Sequence, residues 1–300
     1  MSYFPGPLDP ITSNYPPKDH GRAVALIVVA CAVGAAVLAL AVIPVVKALR
    51  TPNNAALNIS VSQSIQREST STTIRPTPTP GLTDGLPKFT APANLGHCQY
   101  SPKGEPAKKL TAGRAQLPRS DRPVPIRPAK VRASMKTNQG DIGLVLDNGK
   151  APCTVNSFAS LAQGGYFDDT LCHRITSGEL SVLQCGDPTG TGTGGPGYEF
   201  DNEYPTTQYP AGDPAAQQAV VYPAGTLAMA NAGPGTNGSQ FFMVYKDSLL
   251  PPQYTVFGTI DKTGMETLAK IATNGIRSGQ RGTSDGAPAQ EVKIIDVRLD

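Results

Sequence analysis

Tryptophan is absent, histidine occurs only three times, and charged residues make up just 16% of the 300 residues. Each scarcity closes off a class of function. Lys and Arg number 26 against 23 Asp and Glu, and this formal charge of +3 falls far short of the strongly basic face that a nucleic-acid binder presents. Nucleic acid is not an expected partner. Five cysteines without one Cys-x-x-Cys pair, beside so few histidines, supply no recognisable ligand set, so neither a metal nor another cofactor is expected. Hydrolytic signatures are missing as well. Ser239 lies in Asn-Gly-Ser-Gln rather than a Gly-x-Ser-x-Gly elbow, and the glycine run at 190–197 lacks the closing Lys-Ser or Lys-Thr of a phosphate loop. No internal repeat is visible.

What is present is unevenly spread. Eighteen of the 29 prolines fall in the first 130 residues, whereas 23 of the 31 glycines follow them, so proline stiffens the first part and glycine shapes the turns of the second. A short tail, residues 1–22, precedes residues 23–46, AVALIVVACAVGAAVLALAVIPVV, which carry no charge. Two dozen apolar residues suffice to cross the ~30 Å hydrocarbon core as a helix, and they start too late and run too long for a cleaved signal peptide. One membrane span is expected there, with Cys31 as a buried thiol inside it. Its direction stays open, because Lys18 and Arg22 on one side balance Lys47 and Arg50 on the other. Residues 47–130 read as a low-complexity linker or stem: 51 to about 90 are rich in Ser, Thr, Pro and Asn, with STSTTIRPTPTPG at 69–81, too little apolar surface to fold alone, and a looser Pro/Lys/Arg segment follows to 130.

From residue 131 to 300 the texture is that of a folded domain of ordinary size. VRASMKTNQGDIGLVLDN alternates apolar and polar residues about a turn at 138–141, which predicts a hairpin. Phe158, Leu161 and Ala162 recur at helical spacing before Gly164 and Gly165. Short strands around Cys172, Val182, Phe241, Val256 and Val292, with a second helical stretch near 265–272, complete a mainly β, α+β pattern.

Five segments are more specific: CHRI at 172–175, VLQCGD at 182–187, YEFDNE at 198–203, GTLAMANAGPGTNGSQFFMVY at 225–245 and YTVFGTI at 254–260. In this order and spacing the chain resembles the cyclophilin family of peptidyl-prolyl cis/trans isomerases over residues 131–300, and CGDPTGTGTGG is similar to its membrane-tethered bacterial, actinobacterial-like branch. The resemblance implies an eight-stranded antiparallel barrel capped by two helices, with a substrate groove on its outer face. It implies prolyl isomerase activity on proline-containing polypeptides, with Arg174 as the catalytic residue. Val182, Phe242, Leu250 and Tyr254 would form the proline pocket, Gln184 and Gln240 would orient the substrate backbone, and Asn231 would pair with it through its main chain. His173 would be structural.

The chemistry suits those residue types. Resonance holds the X-Pro amide planar behind a barrier near 20 kcal/mol. In the twisted state the proline nitrogen regains a lone pair, and a fixed cationic donor stabilises that state above either planar isomer. An arginine cannot deprotonate and offers a planar fork. Departures from the family pattern also count. Ser181 stands where an aromatic is usual, and the tryptophan position of cyclosporin-sensitive relatives falls on Leu249 or Leu250, so weak cyclosporin binding is expected. The altered wall leaves an alternative reading, a catalytically weak proline-peptide-binding chaperone or scaffold. Cys98, Cys153, Cys172 and Cys185 allow three pairings. The resemblance makes the segments of Cys172 and Cys185 neighbouring strands, which favours that pair together with Cys98–Cys153. Two disulfides would put the catalytic domain on the extracytoplasmic side of the cell membrane.

Overall fold

The computed structural model describes residues 85–277 and 283–300; the expected tail, the span at 23–46 and the stem as far as residue 84 lie outside them. Among the described residues no helix is long and apolar enough to cross a membrane. In chain order the strands are β1 (Tyr100–Pro102), β2 (Val131–Thr137), β3 (Gly140–Leu146), β4 (Thr170–Leu171), β5 (Arg174–Thr176), β6 (Val182–Cys185), β7 (Tyr198–Phe200), β8 (Val220–Tyr222), β9 (Thr226–Met229), β10 (Phe241–Val244), β11 (Ser248–Leu250), β12 (Val256–Ile260), β13 (Asp285–Gly286) and β14 (Lys293–Leu299). Among the described residues two α-helices accompany them, α1 (Pro152–Gln163) and α2 (Lys262–Thr273), with short 3-10 turns at Thr206–Gln208 and Pro214–Gln217.

Ten strands share one antiparallel sheet in the order β13-β5-β6-β10-β9-β12-β3-β2-β14-β4, and β11-β8 and β1-β7 form two small ladders. The expectation of eight strands is corrected by particular elements. The chain breaks at Cys172-His173 into β4 and β5, and the Gly-rich run near residue 285 adds β13 at the sheet edge. Strand periodicity puts alternate side chains on opposite faces. Inward go Ile175, Leu183, Cys185, Leu227, Met229, Phe241, Met243 and Phe257, which join Phe158, Leu161 and Phe167 in one buried core. Outward go Val182, Ala228, Phe242 and Val244, which with Val220 and Tyr222 make a second, separate apolar cluster. The run Phe-Phe-Met-Val is apolar throughout because both of its faces are covered.

Both helices start where the hydrogen-bond accounting requires. The side chain of Asp261 accepts the Gly264 N–H at 2.8 Å and caps α2. Ala151 offers α1 no side-chain cap. Glu203, fifty residues away, accepts instead from the N–H groups of Cys153 and Thr154 (3.0 and 2.8 Å) and from the Thr154 hydroxyl (2.7 Å). A carboxylate there satisfies orphan donors and meets the positive end of the helix dipole.

Residues 85–130 do not hang free as a stem. Cys98 is bonded to Cys153, Cys172 to Cys185, and β1 pairs with β7 in the register Tyr100↔Phe200. The Tyr100 hydroxyl donates to the Cys153 carbonyl at 2.8 Å, and Leu110 and Val124 pack on the core. Proline removes donors but keeps carbonyls, and the barrel supplies the missing donors. Asn148 Nδ2 donates to Pro125 O and Pro128 O, both at 3.0 Å, and the Tyr204 hydroxyl to Pro87 O at 2.7 Å. A segment with little apolar surface of its own is thus ordered by its contacts with the rest of the domain.

Candidate active site

Strand register assembles the site. Arg174 lies opposite Gln184, Gln184 opposite Phe242, Phe242 opposite Ala228, and Ala228 opposite Val256, in one row across five strands. All five side chains therefore share the outer face. Around this row is a cavity of about 170 Å³ lined by Arg174, Leu180, Val182, Gln184, Ala230, Asn231, Phe242, Leu250 and Tyr254. Phe242 and Val182 are 5% and 2% exposed, and the Tyr254 ring meets Phe242 edge-on at 5.8 Å. A cavity of about 150 Å³ holds a benzene molecule, so this one admits a five-membered ring. Seven of the eight residues expected in the site line it. Gln240 lies in the adjoining groove of about 530 Å³, whose walls include Gln184, Ala230 and Asn231 as well.

The polar groups are fixed by a chain of hydrogen bonds rooted in Asp187. Its carboxylate takes the N–H groups of Thr189, Gly192 and Gly194 and the Thr189 hydroxyl. Burial alone would raise its pKa, but those bonds outweigh burial and hold the carboxyl below its usual range. The loop so anchored presents the carbonyls of Gly192 and Gly194, and Gln240 Nε2 donates to both at 3.0 Å. With its nitrogen committed, Gln240 must turn its oxygen to Gln184 Nε2 (2.9 Å), and Gln184 must turn its own oxygen to Arg174 Nη1 (3.1 Å). Gly186 permits the close approach beside this chain: at φ +90 a side chain is strained, and a Cβ would fall 2.2 Å from Ser239 O, two residues before β10.

Arg174 is also gripped from its other edge. Nε and Nη2 donate to the two carboxylate oxygens of Asp285 at 2.8 and 2.9 Å, and this bond is the main cause of the upward shift of the guanidinium pKa. Asn231 spends its side chain on the protein, with Nδ2 directed to Gln253 O at 3.0 Å. Ser181 is buried and bonded to Ser248 and Gly178, so the apolar wall near Val182 comes from Leu180. His173 does not line the cavity. Sequence reasoning missed Leu180, Ala230 and Asp285. Ala230 lies inside the segment at 225–245 and Leu180 two residues before the one at 182–187, whereas Asp285 is 111 residues from Arg174 and carries no local signal.

Residues 132–299 match the family model described as cyclophilin type peptidyl-prolyl cis-trans isomerase. The chain is 60% identical over 217 residues to a probable peptidyl-prolyl cis-trans isomerase B of Mycobacterium tuberculosis, covering 72% of this chain and 68% of that protein. Its counterpart in Mycobacterium leprae is 59% identical over the same length, 72% of this chain and 71% of that one. Among solved structures, a Cryptosporidium parvum cyclophilin type isomerase is 31% identical, with a TM-score of 0.44 over 57% of this chain and 98% of its own. The chain belongs to the cyclophilin family, and it is a peptidyl-prolyl cis-trans isomerase.

Proposed function

We propose that this isomerase serves exported or unfolded polypeptides at the cell membrane, tethered by residues 23–46, and that Arg174 lowers the barrier without any covalent step. One observation carries the catalytic part: a fixed guanidinium stands in the same cross-strand row as Phe242, with Gln184 between them, and both line one largely apolar cavity. The proline ring enters that cavity and leaves water behind. The arginine then donates toward the proline nitrogen as resonance is lost, so the twisted state gains a charge-assisted bond that the planar states lack. A rate gain of about 10⁵ needs ~7 kcal/mol, which a desolvated cation, a bound ring and a held backbone supply together. Gln184 keeps one amide proton and Gln240 one oxygen lone pair for that backbone, while Asn231, its side chain engaged, offers its main chain. The weak-binder alternative drew on Ser181, but Leu180 fills that wall.

The test is isomerisation of an X-Pro peptide by the full-length chain. Arg174→Ala is expected to lower kcat/KM by about 100-fold or more with an unchanged melting temperature; a variant as fast as the wild type would sink the reading. Two disulfides support an extracytoplasmic site for the catalytic domain. Protein isolated from its host without reductant should gain the mass of four hydrogens on reduction, and no gain would remove that support. Cyclosporin should bind with a Kd above about 100 nM, since leucines stand at the tryptophan position; titration decides.

A further inference from the structure

We propose that Asp285 is a positioning residue of this active site, fixing the Arg174 guanidinium in the orientation that the twisted prolyl bond needs. The inference rests on Arg174 being the cationic donor, and it concerns a residue brought in from the far end of the chain.

The placement follows from β13. Asp285 pairs with Thr176 and Gly286 with Ile175, so Asp285 and Arg174 are diagonal neighbours on adjacent strands, within reach of a long side chain. The strand is held on both sides. Ser177 N donates to Ser284 O at 2.9 Å, and Arg277 N donates to Ala287 O at 2.8 Å. A Cβ on Gly286 would lie 2.7 Å from Arg277 O, so glycine is needed for this close approach. Asp285 is therefore presented from a backbone with little freedom.

The grip is two-pronged. A guanidinium has five N–H donors. Asp285 takes those of Nε and one of Nη2, and Gln184 takes one of Nη1. Two protons remain, one on each terminal nitrogen, for a substrate. An arginine side chain has four rotatable bonds, and three hydrogen bonds at two edges of its fork remove the rotation that would scatter those protons. The pair adds little to fold stability, because the two side chains remain 27% and 26% exposed and ion pairs at such exposure are screened. Its geometry bears on the site. The carboxylate also offsets part of the positive charge. We take orientation to outweigh this, because misplacement of a catalytic group is expensive in rate while the arginine stays ionised in either case.

The experiment uses the full-length chain and its Asp285→Ala and Asp285→Asn variants. For both, kcat/KM on an X-Pro peptide should fall, by about tenfold for alanine, with KM within about twofold and an unchanged melting temperature. The Arg174 Nε–H resonance, observed by ¹⁵N-edited NMR, should be resolved in the wild type and lost to exchange in both variants. In an Arg174→Lys background, which has no fork to hold, Asp285→Ala should cost less than about twofold. Activity that is unchanged or raised in both folded variants overturns the proposal. So does an equal loss in the arginine and lysine backgrounds, which would mark a merely structural role. If Arg174→Ala itself retained full activity, the catalytic reading would fail first, a result distinct from either of these.

Discussion

Between residues 131 and 300 the strands alternate inward and outward side chains and close two apolar clusters, whereas residues 85–130 contain one three-residue strand and contribute few side chains to either. The first region is ordered by its own periodicity. The second is ordered by what it is attached to: a disulfide, a short ladder and carbonyls that accept from barrel side chains. Composition therefore forecasts whether a segment can build a core, and it is silent on whether a neighbour's surface can hold that segment.

Removing the arm is the harshest way to break this comparison. A chain starting at Val131 loses the Cys98–Cys153 bridge, which closes a 55-residue separation and by loop entropy alone stabilises by about 4 kcal/mol. The β1–β7 ladder and the bonds from Asn148 go with it. At the ~2–4 °C per kcal/mol of a domain this size, calorimetry should show a melting temperature lower by about 10 °C or more. An unshifted melt would return residues 85–130 to the status of a stem.

A finer cut leaves the bridge in place. The Tyr100 hydroxyl donates to Cys153 O at 2.8 Å and accepts from Asn156 Nδ2 at 3.0 Å, and its ring packs edge-on against Tyr198 and Phe200. Burial holds its phenol protonated well above the usual range. Tyr100→Phe keeps the packing and removes both bonds, so about 1–2 kcal/mol should be lost in denaturant unfolding. A neutral result would mean that the arm is held by its bridge and ladder alone.

Much of the barrel was legible. The hairpin read about 138–141 is β2–β3, and the helices read from Phe158, Leu161 and Ala162 and near 265–272 are α1 and α2. These are local patterns, set by periods of two and 3.6 within a dozen residues. Seven of the eight residues carried over from the family motifs meet at one cavity: the register of β5, β6 and β10 aligns Arg174, Gln184 and Phe242, and Asn231 and Tyr254 join them from the segments that follow β9 and precede β12. The polar partnerships that escaped depend on distance. Asp285 reaches Arg174 from 111 residues away, Glu203 caps α1 across 50, and Gln208 accepts from Thr90 N across 118. No window of sequence contains both partners, and an isolated Asp, Glu or Gln in a loop looks like solvated surface.

Glu203 gives the gentlest test, at the seam where the two regions meet. Its carboxylate caps the turn of α1 that also carries Cys153, the landing point of the arm's disulfide. Burial pushes its pKa up to about 7, against the downward pull of the Cys153 and Thr154 donors. In the unfolded chain the same carboxyl titrates in its ordinary range, near 4.3. Between those two values the folded state keeps a proton that the unfolded state has released, so this group's contribution to stability falls as pH rises through the window and levels off above it. Denaturant unfolding at pH 5, 6, 7 and 8 should show the decline. Glu203→Gln, which cannot ionise, should flatten it while accepting one of the same N–H bonds. A wild-type profile flat across that range, or a glutamine variant with the same slope, would mean that the three donors of α1 hold the carboxylate ionised throughout, and the seam would then be as insensitive to pH as the apolar core beside it.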